Sequence, residues 1–362
     1  MNDRYPDFAT AKAANEQASV LMKRGIALLE TGATESLAEA VDHFNRAIEL
    51  RRQLPLAMNP LFRYGLAAGW MNRADALTRL GNRRNLDLAL HSYDEAITLL
   101  QQLPLGDNPN FPRRLAIAWQ NRGLTLQAQN DLAALGEAER SLAQAIAVLQ
   151  NDCAQEIPDR NRILATVWMN RANVLILQKN TEAPAHARIA AKESLLVTSR
   201  FEMDDLAMAE ISIKARHILC QAIARLLDDN DSTKSATSDW INEATDAVDE
   251  GLALAREWEQ RGIDQFRPQA CELFRFGARV YQAYQPHFLS EFLLENLDAS
   301  RFPADFINSP AMRTAAMESL WRTFRDLQRQ GFKTLNSAEF DKFLTRLQEL
   351  RLVEERLREF QK

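Results

Sequence analysis

Residues 66–77 read LAAGWMNRADAL, and this stretch decides the fold because it returns along the chain. The part that begins at Trp70 recurs as WQNRGLTL at Trp119 and as WMNRANVL at Trp168, each time after 49 residues. Residues 21–28, LMKRGIAL, form a looser first copy. Self-similarity at one fixed spacing indicates a structural unit that is stacked on copies of itself.

A second set of residues keeps the same period and predicts the other helix of each unit. Its three positions hold Ala40, Phe44 and Ala47, then Ala89, Tyr93 and Ala96, then Ala138, Leu142 and Ala145, then Ala187, Ala191 and Ser194. Spacings of four and three place these residues on one stripe of a helix. The small residues let paired helices approach closely. Gly25, Ala74, Gly123 and Ala172 are expected to do the same on the first helix, where a bulky side chain would overpack the pair.

The linkers carry prolines at the same interval. Pro60, Pro109 and Pro158 are 49 residues apart. Leu-Pro-Leu at 54–56 and again at 103–105 precedes the first two of them. Because the residue before a proline avoids the helical region, the second helix should end near the first proline of each linker. A new helix can then begin at Pro60 and Pro109.

This pattern resembles the tetratricopeptide repeat (TPR). The matching residues are Trp70, Asn72, Ala74 and Leu77 on the first helix and Ala89, Tyr93 and Ala96 on the second. They follow the family spacing W-x2-L-G-x2-Y…A-x3-F, with Arg73 in the first leucine position. The family unit is about 34 residues long, so we expect longer helices and a longer linker between repeats here. The resemblance covers residues 18–200. It implies an all-α fold, a right-handed α-α superhelix (a TPR-like solenoid) with a helical C-terminal region.

The period also predicts the organisation of the chain. We expect a flexible N-terminus at 1–13, four TPR-like repeats at 14–202, a degenerate repeat at 203–262 and a Phe-rich helical C-terminal region at 263–362. The degenerate repeat follows from Ala247, which lies four periods plus 11 residues after Ala40 and indicates a loop insertion near Asp228. Twelve of the 17 phenylalanines lie at or beyond Phe266.

The last predicted helix carries a heptad-like seam at Phe343, Leu347, Leu350, Val353, Leu357 and Phe360. The seam either packs back on the end of the solenoid or forms a homodimer or partner-docking helix.

Composition excludes several classes of function. The net charge of −5 and the pI near 5.7 leave no broad basic field for nucleic acid. No run of 18 apolar residues and no apolar signal core occur, so we expect a cytoplasmic protein without membrane insertion. The three cysteines are expected to be small buried residues. Since no nucleotide, hydrolase or metal-site motif is present, we expect no enzymatic activity, no cofactor and no metal.

In TPR proteins the first helices line a concave groove, and the resemblance implies that the recurring asparagine faces it. An amide is both donor and acceptor, so a ladder of such residues can clamp a peptide backbone or carboxylate. The candidate partner-binding residues are Lys23, Met71, Asn72, Asp75, Arg79, Gln120, Asn121, Gln127, Met169, Asn170 and Asn173. Alternatively, the asparagines only bridge neighbouring helices.

Two further series are expected to be structural. Arg24, Arg73, Arg122 and Arg171 should pack their stems between repeats while each guanidinium meets a carboxylate or a helix end. The tryptophans should lie in the core, where truncation to alanine costs about 3–5 kcal/mol. The leading hypothesis is therefore a non-catalytic scaffold or adaptor that binds a protein or peptide segment in its groove. The alternative is a regulatory sensor whose superhelix responds to a ligand or peptide.

Overall fold

The computed structural model describes residues 8–228, 234–285, 288, 292 and 296. These residues form α-helices, one short 3-10 turn (Asp152–Ala154) and no strand. The helices are α1 (Phe8–Thr31), α2 (Thr34–Arg52), α3 (Pro60–Leu80), α4 (Arg83–Gln101), α5 (Asn110–Gln129), α6 (Leu132–Gln150), α7 (Arg160–Leu177), α8 (Ala183–Thr198), α9 (Leu206–Asp228), α10 (Lys234–Gln260) and α11 (Arg267–Tyr284). The last predicted helix, with its heptad-like seam from Phe343 to Phe360, lies outside the described residues.

The chain divides into two compact units, Met1–Asn180 and Thr181–Lys362, called here the N-terminal unit and the C-terminal unit. In the N-terminal unit each helix from α1 to α7 packs on the next helix in sequence. In the C-terminal unit α8 packs on α9, α9 on α10, and α10 on α11. The prediction of an all-α fold built from consecutively packed helices is confirmed for the described residues.

Helix boundaries follow the loop chemistry. α3 begins at Pro60, and the side chain of Asn59 accepts a hydrogen bond from the Leu61 amide at 2.9 Å. α3 ends at Leu80 and is followed by the capping residue Gly81, whose φ of 74° lies in the left-handed region that glycine tolerates best. Asp131 caps α6 by accepting from the Ala134 amide at 2.8 Å. The 49-residue unit therefore consists mostly of helix, with α3 contributing 21 residues and α4 contributing 19.

Two details differ from the sequence-based picture. α1 begins at Phe8, inside the stretch predicted to be flexible, and Ala11 is fully buried in a cluster with Leu54 and Phe62. The extra residues near Asp228 were expected to form a loop, but α10 begins at Lys234 and is 27 residues long. The insertion therefore largely lengthens a helix.

Close approach of paired helices is achieved by a small residue opposite a large one. Phe44 is fully buried, and a Cβ atom built on Gly25 would lie only 2.5 Å from its ring. In a later copy a Cβ on Gly123 would lie 3.0 Å from Leu142. The predicted role of the small residues on the first helix is therefore confirmed at both glycines.

Gly25→Ala should lower the free energy of unfolding by about 1–3 kcal/mol, because the new methyl group collides with the Phe44 ring. Gly136→Ala is the matched control, since it also lies inside a helix but meets only the far end of Arg140 at 3.8 Å. The control should be neutral or stabilising by up to about 1 kcal/mol, because alanine favours helix over glycine. Urea unfolding followed by circular dichroism measures both, and equal effects at the two sites would contradict the packing argument.

The arginine series joins successive repeats. Arg73 on α3 donates from Nε to Asn45 Oδ1 on α2 at 2.7 Å. Its Nη1 donates to the Ser92 hydroxyl on α4. One guanidinium therefore ties the second helix of the preceding repeat to the second helix of its own repeat.

The same arrangement recurs one period later. Arg122 donates from Nε to Asp94 on α4 at 2.7 Å and from Nη1 to Ser141 on α6 at 2.8 Å. Arg171 on α7 donates from Nη2 to Glu139 on α6 at 2.6 Å. The prediction that these arginines pack between repeats and meet carboxylates is confirmed for Arg122 and Arg171.

The arginines also lie over the tryptophans three residues before them. The distances from guanidinium carbon to ring centroid are 5.6 Å for Arg73 over Trp70, 6.0 Å for Arg122 over Trp119 and 5.4 Å for Arg171 over Trp168. Trp70 is buried, as predicted, whereas Trp119 and Trp168 are only partly buried. The tryptophan rings therefore pack against the arginines that join repeats, called here the arginine clamp, as well as against the core.

Arg122→Met should lower the free energy of unfolding by about 1–2 kcal/mol, because it keeps much of the packing stem but removes one hydrogen bond to the preceding repeat and one within its own repeat. Arg140→Met on α6 is the control, since Arg140 is exposed and makes no ion pair among the described residues. Thermal unfolding measures both. A loss for the control as large as that for Arg122→Met would show that removing a charge, rather than the clamp, is responsible.

The C-terminal unit uses the same packing device outside the recognisable repeats. A Cβ on Gly251 of α10 would lie 2.6 Å from Leu273 of α11, and one on Gly277 would lie 2.6 Å from Val248. Neither glycine belongs to the 49-residue series. Close pairing therefore persists where the sequence signature has disappeared.

Two of the three cysteines are buried, as predicted. Cys220 is fully buried and Cys271 is 3% exposed. Burial raises the pKa of Cys220 far above its ordinary value and that of Cys271 to about 11, so both are neutral thiols. Cys153 is partly exposed.

Candidate functional site

The odd-numbered helices form the inner layer of the N-terminal unit. α1 touches α3, α3 touches α5, and α5 touches α7, whereas the even-numbered helices approach one another less closely. In a stack of helix pairs, the layer with the closer spacing is the inner side of the curve. The candidate groove residues all belong to odd-numbered helices.

Most of the candidate residues offer some surface to solvent. The partly or fully exposed ones are Lys23, Asn72, Asp75, Arg79, Gln120, Asn121, Gln127, Met169, Asn170 and Asn173. Met71 is 6% exposed and lies in the core cluster, so its side chain offers little contact surface. The Arg79 guanidinium donates to the Leu29 carbonyl of α1 at 2.9 Å and is therefore held against the neighbouring helix.

A buried polar network lies at the centre of this surface. The Tyr93 hydroxyl donates to Asp75 Oδ1, and Asn121 Nδ2 donates to the same oxygen at 3.3 Å. The hydroxyls of Thr78 and Thr125 are hydrogen-bonded to each other at 2.9 Å. These contacts connect α3 with α4 and α5, so the network holds two successive repeats together.

The network arises from a paired departure from the repeat. At the position of Asp75, the first and third copies carry Ile26 and Leu124. At the position of Tyr93, the first copy carries Phe44, which has no hydroxyl. One carboxylate and one hydroxyl are thus introduced together. The simultaneous change at two aligned positions is the signal in the sequence that could have revealed this pair.

The same comparison separates the asparagine series into two kinds. Asn121 finds an acceptor because Asp75 precedes it on α3. The equivalent residues for Asn72 and Asn170 are Ile26 and Leu124, which accept no hydrogen bond. Both side chains are partly exposed and make no hydrogen bond among the described residues. Asn121 is therefore structural, while Asn72 and Asn170 keep their amides available.

The network also perturbs two pKa values. Burial raises the pKa of Asp75 above its ordinary value of 3.8, although the hydrogen bonds from Tyr93 and Asn121 oppose this shift. Burial, followed by the charge of Asp75, raises the pKa of Tyr93 well above 10.0. Both groups bind their protons more tightly in the folded chain than in the unfolded chain. Their contribution to stability is therefore present below the unfolded pKa and is lost as the pH rises through the folded pKa.

Tyr93→Phe should lower the free energy of unfolding at pH 7 by about 1–3 kcal/mol, because a buried carboxylate loses a donor. Asp75→Ile combined with Tyr93→Phe recreates the pair found in the first repeat, Ile26 with Phe44. This double variant should recover at least half of the loss, because replacing both polar partners by apolar groups leaves no orphaned group. Urea unfolding at pH 7 measures both variants.

Acidification provides a second test of the same pair. The cost of Tyr93→Phe should shrink as the pH falls through the raised pKa of Asp75, since a protonated carboxyl is less costly to bury. The double variant should lack this pH dependence. Independent, additive losses for the two substitutions would contradict the coupling.

Other kinds of site were sought along the described part of the chain. No group of three or more His, Cys, Asp or Glu side chains there could hold a metal ion. None of the described helices combines enough length and apolar character to span a membrane.

No protein-family model matches this sequence, and comparison with curated proteins finds no match. Among solved structures, the chain is similar to BtubC (BKLC) from P. vanneervenii, with 14% sequence identity and a TM-score of 0.47. The similarity covers 83% of this chain and 94% of that chain.

Proposed function

We propose that this protein is a TPR-like, non-catalytic scaffold or adaptor that binds a segment of a partner protein on the inner layer of its N-terminal unit. The observation that carries the proposal is the closer spacing of the odd-numbered helices. It gives a preformed curved surface on which Asn72 and Asn170 keep unpaired amides.

The chemistry of this surface suits a peptide backbone. An asparagine side chain donates and accepts together, and so can pair with the N–H and C=O groups of one extended residue. Lys23 occupies the same repeat position on α1 and is exposed, so it can meet a carboxylate. Met169, next to Asn170, offers an adaptable apolar contact. We therefore expect an extended segment with at least one acidic group.

The proposal is tested by affinity capture of the intact chain from the cells that produce it, with bound proteins quantified by mass spectrometry. Asn72→Ala with Asn170→Ala should reduce recovery of the specific partners by at least about tenfold, since each buried amide pair contributes on the order of 1 kcal/mol or more. Asn85→Ala with Gln144→Ala is the matched control, because it truncates two amides on the even-numbered helices α4 and α6.

Circular dichroism must show the same helical content and unfolding midpoint for both double variants and the unchanged chain. If the partners are recovered equally with Asn72→Ala/Asn170→Ala, the inner layer is not the binding surface. Asn121→Ala should instead reduce stability, because it removes a donor from Asp75.

A further inference from the structure

A second surface lies in the C-terminal unit, where a groove of 660 Å³ runs between α8 and α10 over α9. Its α8 side carries Leu195 and Leu196, and Leu219 of α9 forms part of the base. Leu196 is 63% exposed, although it belongs to a well-packed helix. Lys192, Glu193 and Ser199 line the same side, so a solvent-facing leucine pair lies there among polar side chains.

The α10 side is acidic. Asp239, Glu243, Asp246 and Glu250 line it. Their spacings of four, three and four place the carboxylates on one stripe of the helix. The first and last carboxylates are 11 residues apart, which corresponds to about 16 Å at the rise of an α-helix. The leucine pair of α8 therefore lies in the same groove as an acidic stripe that extends over about three helical turns.

Part of this acidic stripe is already neutralised by the protein itself. Arg188 Nε lies 2.8 Å and Lys192 Nζ 3.3 Å from Glu243, so two cations of α8 converge on one carboxylate of α10. Glu250 accepts from Arg216 at 3.0 Å. These contacts show that cations fit between the two walls.

The other two carboxylates of the stripe are not neutralised. Asp239 and Asp246 are exposed and have no ion pair or hydrogen bond among the described residues. They flank Glu243 at four residues before it and three residues after it. Two carboxylates without a cationic partner in the described part of the chain therefore line the same groove as the exposed Leu196.

We propose that this groove binds a basic amphipathic helix of a partner protein. Its apolar face would cover Leu196, and its lysines or arginines would meet Asp239 and Asp246. The carboxylates of α10 repeat at helical spacing, which matches basic anchors three and four residues apart on a docked helix. The sign of the charge excludes an acidic segment, and the proposal is independent of the surface on the N-terminal unit.

The test uses the full chain and a defined probe, a fluorescein-labelled 15-residue helical peptide with leucines on one face and five lysines on the adjoining face. A peptide with glutamates in place of the lysines is the charge control. Fluorescence anisotropy should show micromolar binding of the lysine peptide only. Raising the salt concentration should weaken this binding, because exposed charges are screened.

Asp239→Asn with Asp246→Asn should weaken binding of the lysine peptide by about three- to tenfold, and Leu196→Ser by about tenfold. The matched controls lie in the N-terminal unit: Asp152→Asn with Glu156→Gln changes the charge equally, and Leu132→Ser alters a leucine that is 62% exposed. Neither control should change binding by more than about twofold.

Four results would overturn the proposal. Equal weakening by the controls, or equal binding of the glutamate peptide, would show non-specific attraction. Absence of binding would show that the groove does not receive such a helix. A dimer in analytical ultracentrifugation that Leu196→Ser converts to a monomer would assign the groove to a second copy.

Discussion

The structure depends on the close approach of two helices within each repeat. A glycine or alanine on the first helix faces a large side chain on the second, as Gly25 faces Phe44 and Gly123 faces Leu142. Because the two side chains are complementary, no larger residue fits on the first helix, and at Gly25 even the methyl group of alanine would collide with Phe44. The pair thus becomes a rigid unit, and stacking such units requires only contacts between neighbours.

The arginine series supplies a second kind of contact, between units instead of within them. Arg73 and Arg122 each join the second helices of two successive repeats, and they do so through residues that keep the same period. The acceptor changes from Asn45 to Asp94 while the geometry is conserved along the chain. A clamp that recurs in this way couples the stability of neighbouring repeats, which is the basis of cooperativity in a linear array.

At the candidate site, the sequence predicted the positions of the polar side chains but not their hydrogen-bond partners. The periodic asparagines predicted a ladder of equivalent groups, but their surroundings are not equivalent. At the repeat position of Asp75 the other copies carry Ile26, Leu124 and Asn173. The Asp75 carboxylate accepts from Asn121, whereas Ile26 and Leu124 leave Asn72 and Asn170 without an acceptor. A binding surface can therefore arise from a structural repeat because the repeat is imperfect. The acidic groove of the C-terminal unit has no such periodic signal, since its walls come from helices outside the signature.

The sequence by itself determined the helical architecture, the helix pairing within a repeat and the roles of the small residues, because these depend on spacings of three, four and 49 residues. It also indicated that the arginines join repeats. Only the tertiary structure decided which acceptors the arginines reach and which asparagine donates a hydrogen bond to Asp75. It also decided that Met71 is buried while Leu196 is exposed. The physical reason is that hydrogen bonds and solvent exposure depend on side chains from different helices. Periodicity along one helix does not specify the relative positions of those helices.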